Sequence, residues 1–219
     1  MHTNNQTKKQ NCLICNTPLL KEVSLLHLLE HHTICKSCMS KFDVIDKTIS
    51  FYHHPLRILY FYNDFFKSLL FQYKGQYDYV LKDAFLSLFI RELKEKYKDY
   101  MIVVAPSSFI DNQKRGFAPM EEIGKTIHSN LFLNLYKKEH YKQSDLSFEE
   151  RKNVKDRLGI ENGEILKGKK ILIIDDVLTS GSTLHACLNL TLTYSPKHVE
   201  LLVLSTGRNI EEIENIYKN

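Results

Sequence analysis

The most chemically suggestive stretch of the chain is a pair of adjacent carboxylates at the end of an apolar run, followed at once by hydroxyl residues around a glycine. It reads Ile171-Leu-Ile-Ile-Asp175-Asp176-Val177-Leu178-Thr179-Ser180-Gly181-Ser182-Thr183. A buried strand ending at Ile174 delivers Asp175 and Asp176, a tight loop follows, and a helix is expected to begin near Ser182. Backbone N–H groups of such a loop, together with the helix N-terminus, form a seat for a phosphate dianion. Thr179, Ser182 and Thr183 add hydroxyl donors, and Gly181 lets the backbone approach closely. The twin carboxylates suit vicinal ribose hydroxyls. A plain strand-to-helix turn with a capped helix explains the Ser, Thr and Gly residues. It does not explain two neighbouring acids, which repel unless hydroxyls, a cation or solvent relieve them.

A second group of residues has metal-ligand spacing. Cys12-Leu-Ile-Cys15 and Cys35-Lys-Ser-Cys38 are two Cys-x-x-Cys pairs with nineteen residues between them, a spacing suited to a four-sulfur zinc site. Each pair can approach one tetrahedral ion from a tight turn, and four sulfur ligands close the coordination shell, so the expected zinc is structural. His31 and His32 are alternative ligands beside the second pair. The fifth cysteine, Cys187, falls within a helical pattern and reads as a small buried apolar residue.

These residues need elements to hold them. With 43% hydrophobic and 26% charged residues, the 219-residue chain is globular, with enough length for one ordinary domain and a small appendage. Residues 1–49 hold the cysteine block, and residues 50–219 alternate helical periods with short apolar runs. Helices are expected at 64–72, 79–96, 120–131, 183–192 and 210–216, and strands at 101–105, 170–174 and 198–204. Such alternation predicts an α/β domain around a mostly parallel sheet flanked by helices. No run approaches the roughly 18–20 apolar residues of a membrane span, and the first eleven residues lack the apolar core of a secretory signal. A cytoplasmic location without membrane insertion is the expectation, and reduced cysteines in that compartment favour metal over disulfides. The formal net charge of +4 is too small to mark a dedicated polyanion binder.

The stretch 171–183 resembles the phosphoribosyl pyrophosphate signature of type I phosphoribosyltransferases. Several further segments extend the resemblance over nearly the whole chain, to the ComF family. They are the paired Cys-x-x-Cys head, Tyr73-Lys74-Gly75, Lys114-Arg115-Gly116-Phe117, and Gln143 with Arg151-Lys152-Asn153. It implies a type I phosphoribosyltransferase-like sheet with a small zinc-binding domain at the N-terminus. Asp175 and Asp176 match the ribose-binding acidic pair, with Val177 and Leu178 leading into a 5′-phosphate loop at Thr179, Ser180, Gly181, Ser182 and Thr183. Tyr73, Lys74 and Gly75 match the pyrophosphate loop, and Ser107 and Ser108 stand where the family's flexible active-site loop begins. Lys114 and Arg115 lie in that loop, so Lys74, Lys114 and Arg115 are the residues that would stabilise leaving-group charge alongside Mg²⁺. Two positions depart from the family pattern: Ala118-Pro119 replaces a frequent Asn-Gln, and Asp175 stands where many type I enzymes carry Glu.

Two functions of different class follow from the resemblance. One is Mg²⁺-dependent phosphoribosyl transfer to a base or amine. The other, which is favoured, is a phosphoribosyl pyrophosphate-binding factor that handles single-stranded DNA during natural transformation, alongside a ComFA-like DNA helicase. The expected acceptor hood, residues 141–159, is charged and offers Phe148 as a stacking surface. Residues 51–79, by contrast, hold eleven of the twenty-four aromatics. Most of these suit helix packing, while Tyr52, Tyr73 and Tyr77, beside His53, His54 and Lys74, are the candidates for exposed contacts with bases.

Overall fold

In the computed structural model the described residues are 10–19, 33–138 and 158–217. His31, His32, Gln143, Phe148, Arg151, Lys152 and Asn153 lie outside them, as does all of the expected hood except Leu158 and Gly159.

The apolar runs 170–174, 198–204 and 101–105 form the centre of a six-stranded sheet. They lie in β7 (Lys170–Leu178), β8 (His198–Thr206) and β3 (Tyr100–Val104). These strands are parallel and stand in the order β8-β7-β3, with β4 (Leu131–Phe132) beyond β3. Each central strand is buried on both faces, as its near-continuous apolar sequence requires. Along β7, Leu172 and Ile174 belong to one core, and Ile171 and Ile173 to the other.

The sheet continues past β8 through a hairpin: β1 (Val44–Phe51), whose sequence is mixed and half exposed, and β2 (His54–Phe61), whose Leu56, Ile58, Leu59 and Tyr60 are buried. β2 runs parallel to β8, and β1 closes the edge antiparallel to β2. The two-residue turn, Tyr52 and His53, has φ of 47° and 66°. Two left-handed residues give the twist that a tight hairpin needs. β1 runs through positions 49 and 50, so the end of the cysteine block leads directly into the main sheet.

Helices cover both faces. On one side lie α2 (Asp64–Gly75), α3 (Ile90–Lys96) and α5 (Pro119–Ile127), whose Phe66, Leu69, Tyr73, Leu93 and Ile123 share a core with Leu172 and Ile174. On the other, α6 (Ser182–Leu192) and α7 (Ile210–Tyr217) pack Leu184, Leu188 and Ile213 against Ile171 and Ile173. The single helix expected over 79–96 is instead a 3₁₀ turn at Tyr79–Asp83, a stretch of turns, and then α3. Its middle, Ala84, Phe85 and Leu86, is entirely buried and follows the core surface instead of a helical stripe. The helix expected to reach 131 stops at Ile127, because Leu131 is needed in β4 beside Ile102. A short pair, β5 (Leu135–Lys137) and β6 (Leu158–Ile160), stands apart from the main sheet.

The cysteine block sits on the first core. Cys12, Ile34, Cys38 and Phe42 are buried together with Tyr60, Phe66 and Phe85, and the Thr33 hydroxyl donates to the Asp83 carbonyl at 3.3 Å. Among the described residues no helix is long and apolar enough to cross a membrane.

Candidate functional site

β7 carries its acids inside the strand, not beyond its end. Asp175 still pairs with Val203, and the ladder continues to Leu178 opposite Thr206. The expectation that the strand ends at Ile174 is thereby corrected: Ser205 and Thr206 on β8 hold the extra residues, donating their hydroxyls to the carbonyls of Asp176 and Leu178. Both carboxylates turn back on the chain. The Asp176 amide donates to Asp175 Oδ1 at 2.9 Å, and the Val177 amide to Asp176 Oδ1 at 2.8 Å.

The loop that follows is fixed from behind. Gly181 has φ of 70°, and a Cβ there would lie 2.5 Å from the Tyr217 hydroxyl. Only glycine suits both the left-handed backbone and the close approach. Tyr217 donates to the Ser180 carbonyl at 2.6 Å, while the Tyr52 amide donates to the Tyr217 carbonyl at 3.1 Å. The Tyr52 ring stacks on His185 of α6 at 3.8 Å. Thr179 and Ser180 are exposed, the Ser180 and Ser182 hydroxyls lie 2.9 Å apart, and α6 begins at Ser182 as expected. Tyr52 is thus half-buried as a brace of the loop.

Lys74 closes the other side. Tyr73, Lys74 and Gly75 form the last turn of α2, not a loop, and the Lys74 ammonium is paired with Asp176 Oδ2. Burial holds Lys74 down to about 8, opposed by Asp175 and reinforced by Arg115 and Lys137. Burial likewise pushes Asp175 up to about 6, against the pull of Lys74 and Lys137. Tyr73, expected to be exposed, has no accessible surface. It lies on the core face of α2, and its hydroxyl donates to the Pro119 carbonyl at 2.8 Å. Of the residues named as exposed aromatic contacts, Tyr77 is 48% exposed.

The segment expected to be a flexible loop at Lys114 and Arg115 is a short helix, α4 (Phe109–Arg115). Ser108 accepts from the Asp111 amide as its N-cap, and Gly116, at φ 79°, ends it. Arg115 is held by the neighbouring helix and by its own: its Nε donates to the Lys74 carbonyl of α2 at 2.7 Å, and its Nη1 to Asn112 Oδ1 within α4 at 3.2 Å. Ser107 donates to the same Asn112 oxygen at 2.7 Å. Lys114 is exposed on the helix surface. Tyr217 and Lys137 escaped the sequence reading, since each acts on residues far away along the chain; Asn112 acts on Ser107 and Arg115 close by, but an Asn in a polar stretch carries no motif signal.

Cys12, Cys15, Cys35 and Cys38 converge as the spacing predicts, with all four sulfurs within 4.8 Å of one another. Cys15 and Cys35 sulfurs lie 3.6 Å apart, and the Cys35 amide donates to Cys12 Sγ at 3.3 Å. Zn–S bonds of about 2.3 Å at tetrahedral angles place sulfurs roughly 3.8 Å apart, so the four residues fit a metal ion such as zinc. Cys187 is buried in the second core, and burial pushes its thiol up.

A strand with two acids, a glycine-centred loop and a helix N-terminus lie within the region, residues 105–218, that matches the family model described as "Phosphoribosyl transferase domain". The chain belongs to the phosphoribosyl transferase domain family. This member is similar to "Competence protein ComFC" of Streptococcus pneumoniae (strain ATCC BAA-255 / R6), 34% identical over 134 residues, 59% of this chain and 58% of that one. The alignment thus spans under two thirds of that relative's length. It is also similar to "Competence protein ComFC" of Bacillus subtilis (strain 168), 25% identical over 205 residues, 80% of this chain and 85% of that one. With the four-cysteine head, these similarities bear out the ComF-type organisation of a phosphoribosyltransferase-like protein. Among solved structures, the chain is similar to a hypoxanthine phosphoribosyltransferase from Staphylococcus aureus (TM-score 0.37, 16% identity, 59% of this chain, 67% of that one). A purine phosphoribosyltransferase from Pyrococcus horikoshii Ot3 is similar too (TM-score 0.37, 20% identity, 57% of this chain, 72% of that one).

Proposed function

We propose that the chain binds phosphoribosyl pyrophosphate with Mg²⁺ at the upper edge of the sheet and, in the cytoplasm, handles single-stranded DNA during natural transformation, with a ComFA-like DNA helicase as partner. The observation that carries the ligand is the Asp176–Lys74 pair standing directly before the Thr179–Thr183 loop. A sugar phosphate would put its 5′-phosphate on the amides of Thr179, Ser180, Gly181, Ser182 and Thr183, and its ribose hydroxyls on Asp175 and Asp176. Val177 and Leu178 set the distance between the two. To accept hydroxyls, Asp176 gives up Lys74, whose ammonium then serves the pyrophosphate beside Gly75, Ser107, Lys114 and Arg115. Tyr73 contributes by holding the α2 terminus through Pro119. Mg²⁺, arriving with the ligand, would neutralise pyrophosphate charge while keeping several waters.

The competence role is supported by the names of the two relatives and by an aromatic and basic surface next to the site, where Phe71 is exposed beside Lys67 and Arg115. Zinc in the four-cysteine cluster is assigned a structural part, since four sulfurs leave it no open position. A phosphoribosyl transfer on the same ligand is the second reading, favoured by Lys74 and Arg115, which stand where leaving-group charge would develop.

Calorimetry with phosphoribosyl pyrophosphate and Mg²⁺ tests the first reading. The wild type binds, and the variant combining Asp175→Asn with Asp176→Asn does not; undiminished affinity in that variant overturns the assignment. Pyrophosphate release with pooled bases and amines tests the second, and turnover with one acceptor makes the protein an enzyme.

A further inference from the structure

α2 presents two faces of opposite character. Phe66, Leu69 and Tyr73 go into the core, while Asp64, Lys67, Ser68, Phe71 and Gly75 line a cavity of about 590 Å³, to which the largely buried Leu70 also contributes. Their three- and four-residue spacing places them in one stripe along the helix. Tyr62 walls the cavity at the start of the helix, and Lys74 and Arg115 close it at the end. The volume is in the range of small-molecule sites.

Phe71 is 61% exposed in the middle of this stripe. A Cβ on Gly75 would come within 2.9 Å of its ring, so the glycine gives the phenyl room to lie across the last turn. Around the ring stand three cations, Lys67, Lys74 and Arg115, against one acid, Asp64. An exposed aromatic face among cations suits a ring-bearing polyanion. Lys67 and Lys74 are separated by about 10 Å along the helix at 1.5 Å per residue. That is too far for one phosphate group to bridge and suits successive phosphates of an extended chain. A duplex hides its base faces, so stacking on Phe71 selects a single strand.

We propose that this groove holds a few nucleotides of a single strand, with a base stacked on Phe71 and phosphates along Lys67 and Arg115, and that it competes with the phosphoribosyl pyrophosphate site through Lys74. The inference rests on the DNA-handling reading above and adds to it a location and a coupling. Lys74 lines the groove and pairs with Asp176, while Arg115 lines the groove and grips the Lys74 carbonyl. Two anionic ligands sharing the Lys74 ammonium and the Arg115 guanidinium repel each other and divide their charge, so each weakens the other by the same factor.

The test is fluorescence anisotropy of a short labelled oligothymidylate on the full-length protein, as a function of salt, with and without saturating phosphoribosyl pyrophosphate and Mg²⁺. Phe71→Ala should weaken strand binding about tenfold. Lys67→Glu should weaken it and flatten the salt dependence by about one phosphate contact. Lys169→Glu, on the exposed opposite edge of the sheet, should leave it unchanged. Saturating phosphoribosyl pyrophosphate should raise the strand Kd about tenfold, and calorimetry should find the reciprocal change. A wild type that fails to bind at low salt removes the DNA-handling reading and the groove with it. A wild type that binds, with Phe71→Ala and Lys67→Glu indistinguishable from it, removes the groove alone. Equally tight binding of free thymidine monophosphate rejects an extended occupant, and strand affinity indifferent to phosphoribosyl pyrophosphate rejects the coupling.

Discussion

Arg115 donates from Nε to the carbonyl oxygen of Lys74 at 2.7 Å, fastening the end of α4 to the end of α2. The Lys74 carbonyl lies in the last turn of α2, where the helix dipole concentrates partial negative charge. The guanidinium therefore caps one helix while its neighbour along α4, Lys114, is left to solvent. Arg115→Ala should cost about 1–2 kcal/mol of stability in urea unfolding and weaken phosphoribosyl pyrophosphate binding. Lys114→Ala should leave stability unchanged. Equal stability of the two variants would contradict the capping role.

The pH dependence of ligand binding follows from Lys74 and Asp175. Lys74 is held down to about 8, so its positive charge, and with it the proposed attraction to pyrophosphate, fade as pH rises through that value. Asp175 is pushed up to about 6, so the carboxylate proposed to accept ribose hydroxyls forms only as pH rises through 6. Affinity measured by calorimetry should peak between the two and fall on both sides. Lys74→Met should lack the alkaline limb. For stability the signs differ. The raised Asp175 favours the folded state at low pH, and this contribution is lost as pH rises through about 6. The depressed Lys74 makes stability rise between about 8 and its ordinary value of 10.5.

Gly181 and Gly168 separate steric contact from backbone strain. Both have positive φ, 70° and 68°, but a Cβ on Gly168 meets nothing within 4 Å, whereas one on Gly181 meets Tyr217 and Phe51. Gly168→Ala should lower stability by about 1–2 kcal/mol from backbone strain alone. Gly181→Ala should lower it further and also weaken ligand binding. Identical losses in thermal unfolding would mean that the Tyr217 contact is immaterial.

The cysteine cluster should carry one zinc per chain by elemental analysis. Cys12→Ser with Cys15→Ser should release it and lower the melting temperature, because Cys12, Ile34, Cys38 and Phe42 belong to the same core as Tyr60 and Phe66. A metal-free wild type that is stably folded would contradict this.

What the sequence made legible was local. The apolar runs of β3, β7 and β8 are buried on both faces, so composition alone marks them, and the residues of the Asp175–Thr183 stretch are contiguous. The hairpin β1–β2 was hidden because β1 is an edge strand with exposed Asp46, Lys47 and Thr48, and because its left-handed turn is Tyr52-His53, without the usual Asn or Gly. α4 had its caps in plain view, Ser108 and Gly116, yet Phe109 and Ile110 are exposed and give it no apolar stripe. The contacts that shape the site, Arg115 with Lys74 and Tyr217 with Ser180, join residues 41 and 37 positions apart. No periodicity reports on such pairs; only the folded sheet brings them together.

The most direct measurement is a crystal structure of the protein soaked with phosphoribosyl pyrophosphate and Mg²⁺. The 5′-phosphate should lie on the amides of the Thr179–Thr183 loop, the ribose hydroxyls on Asp175 and Asp176, and the Lys74 ammonium should have left Asp176 for the pyrophosphate. An empty loop, with Lys74 still paired to Asp176 under saturating ligand, would contradict the assignment.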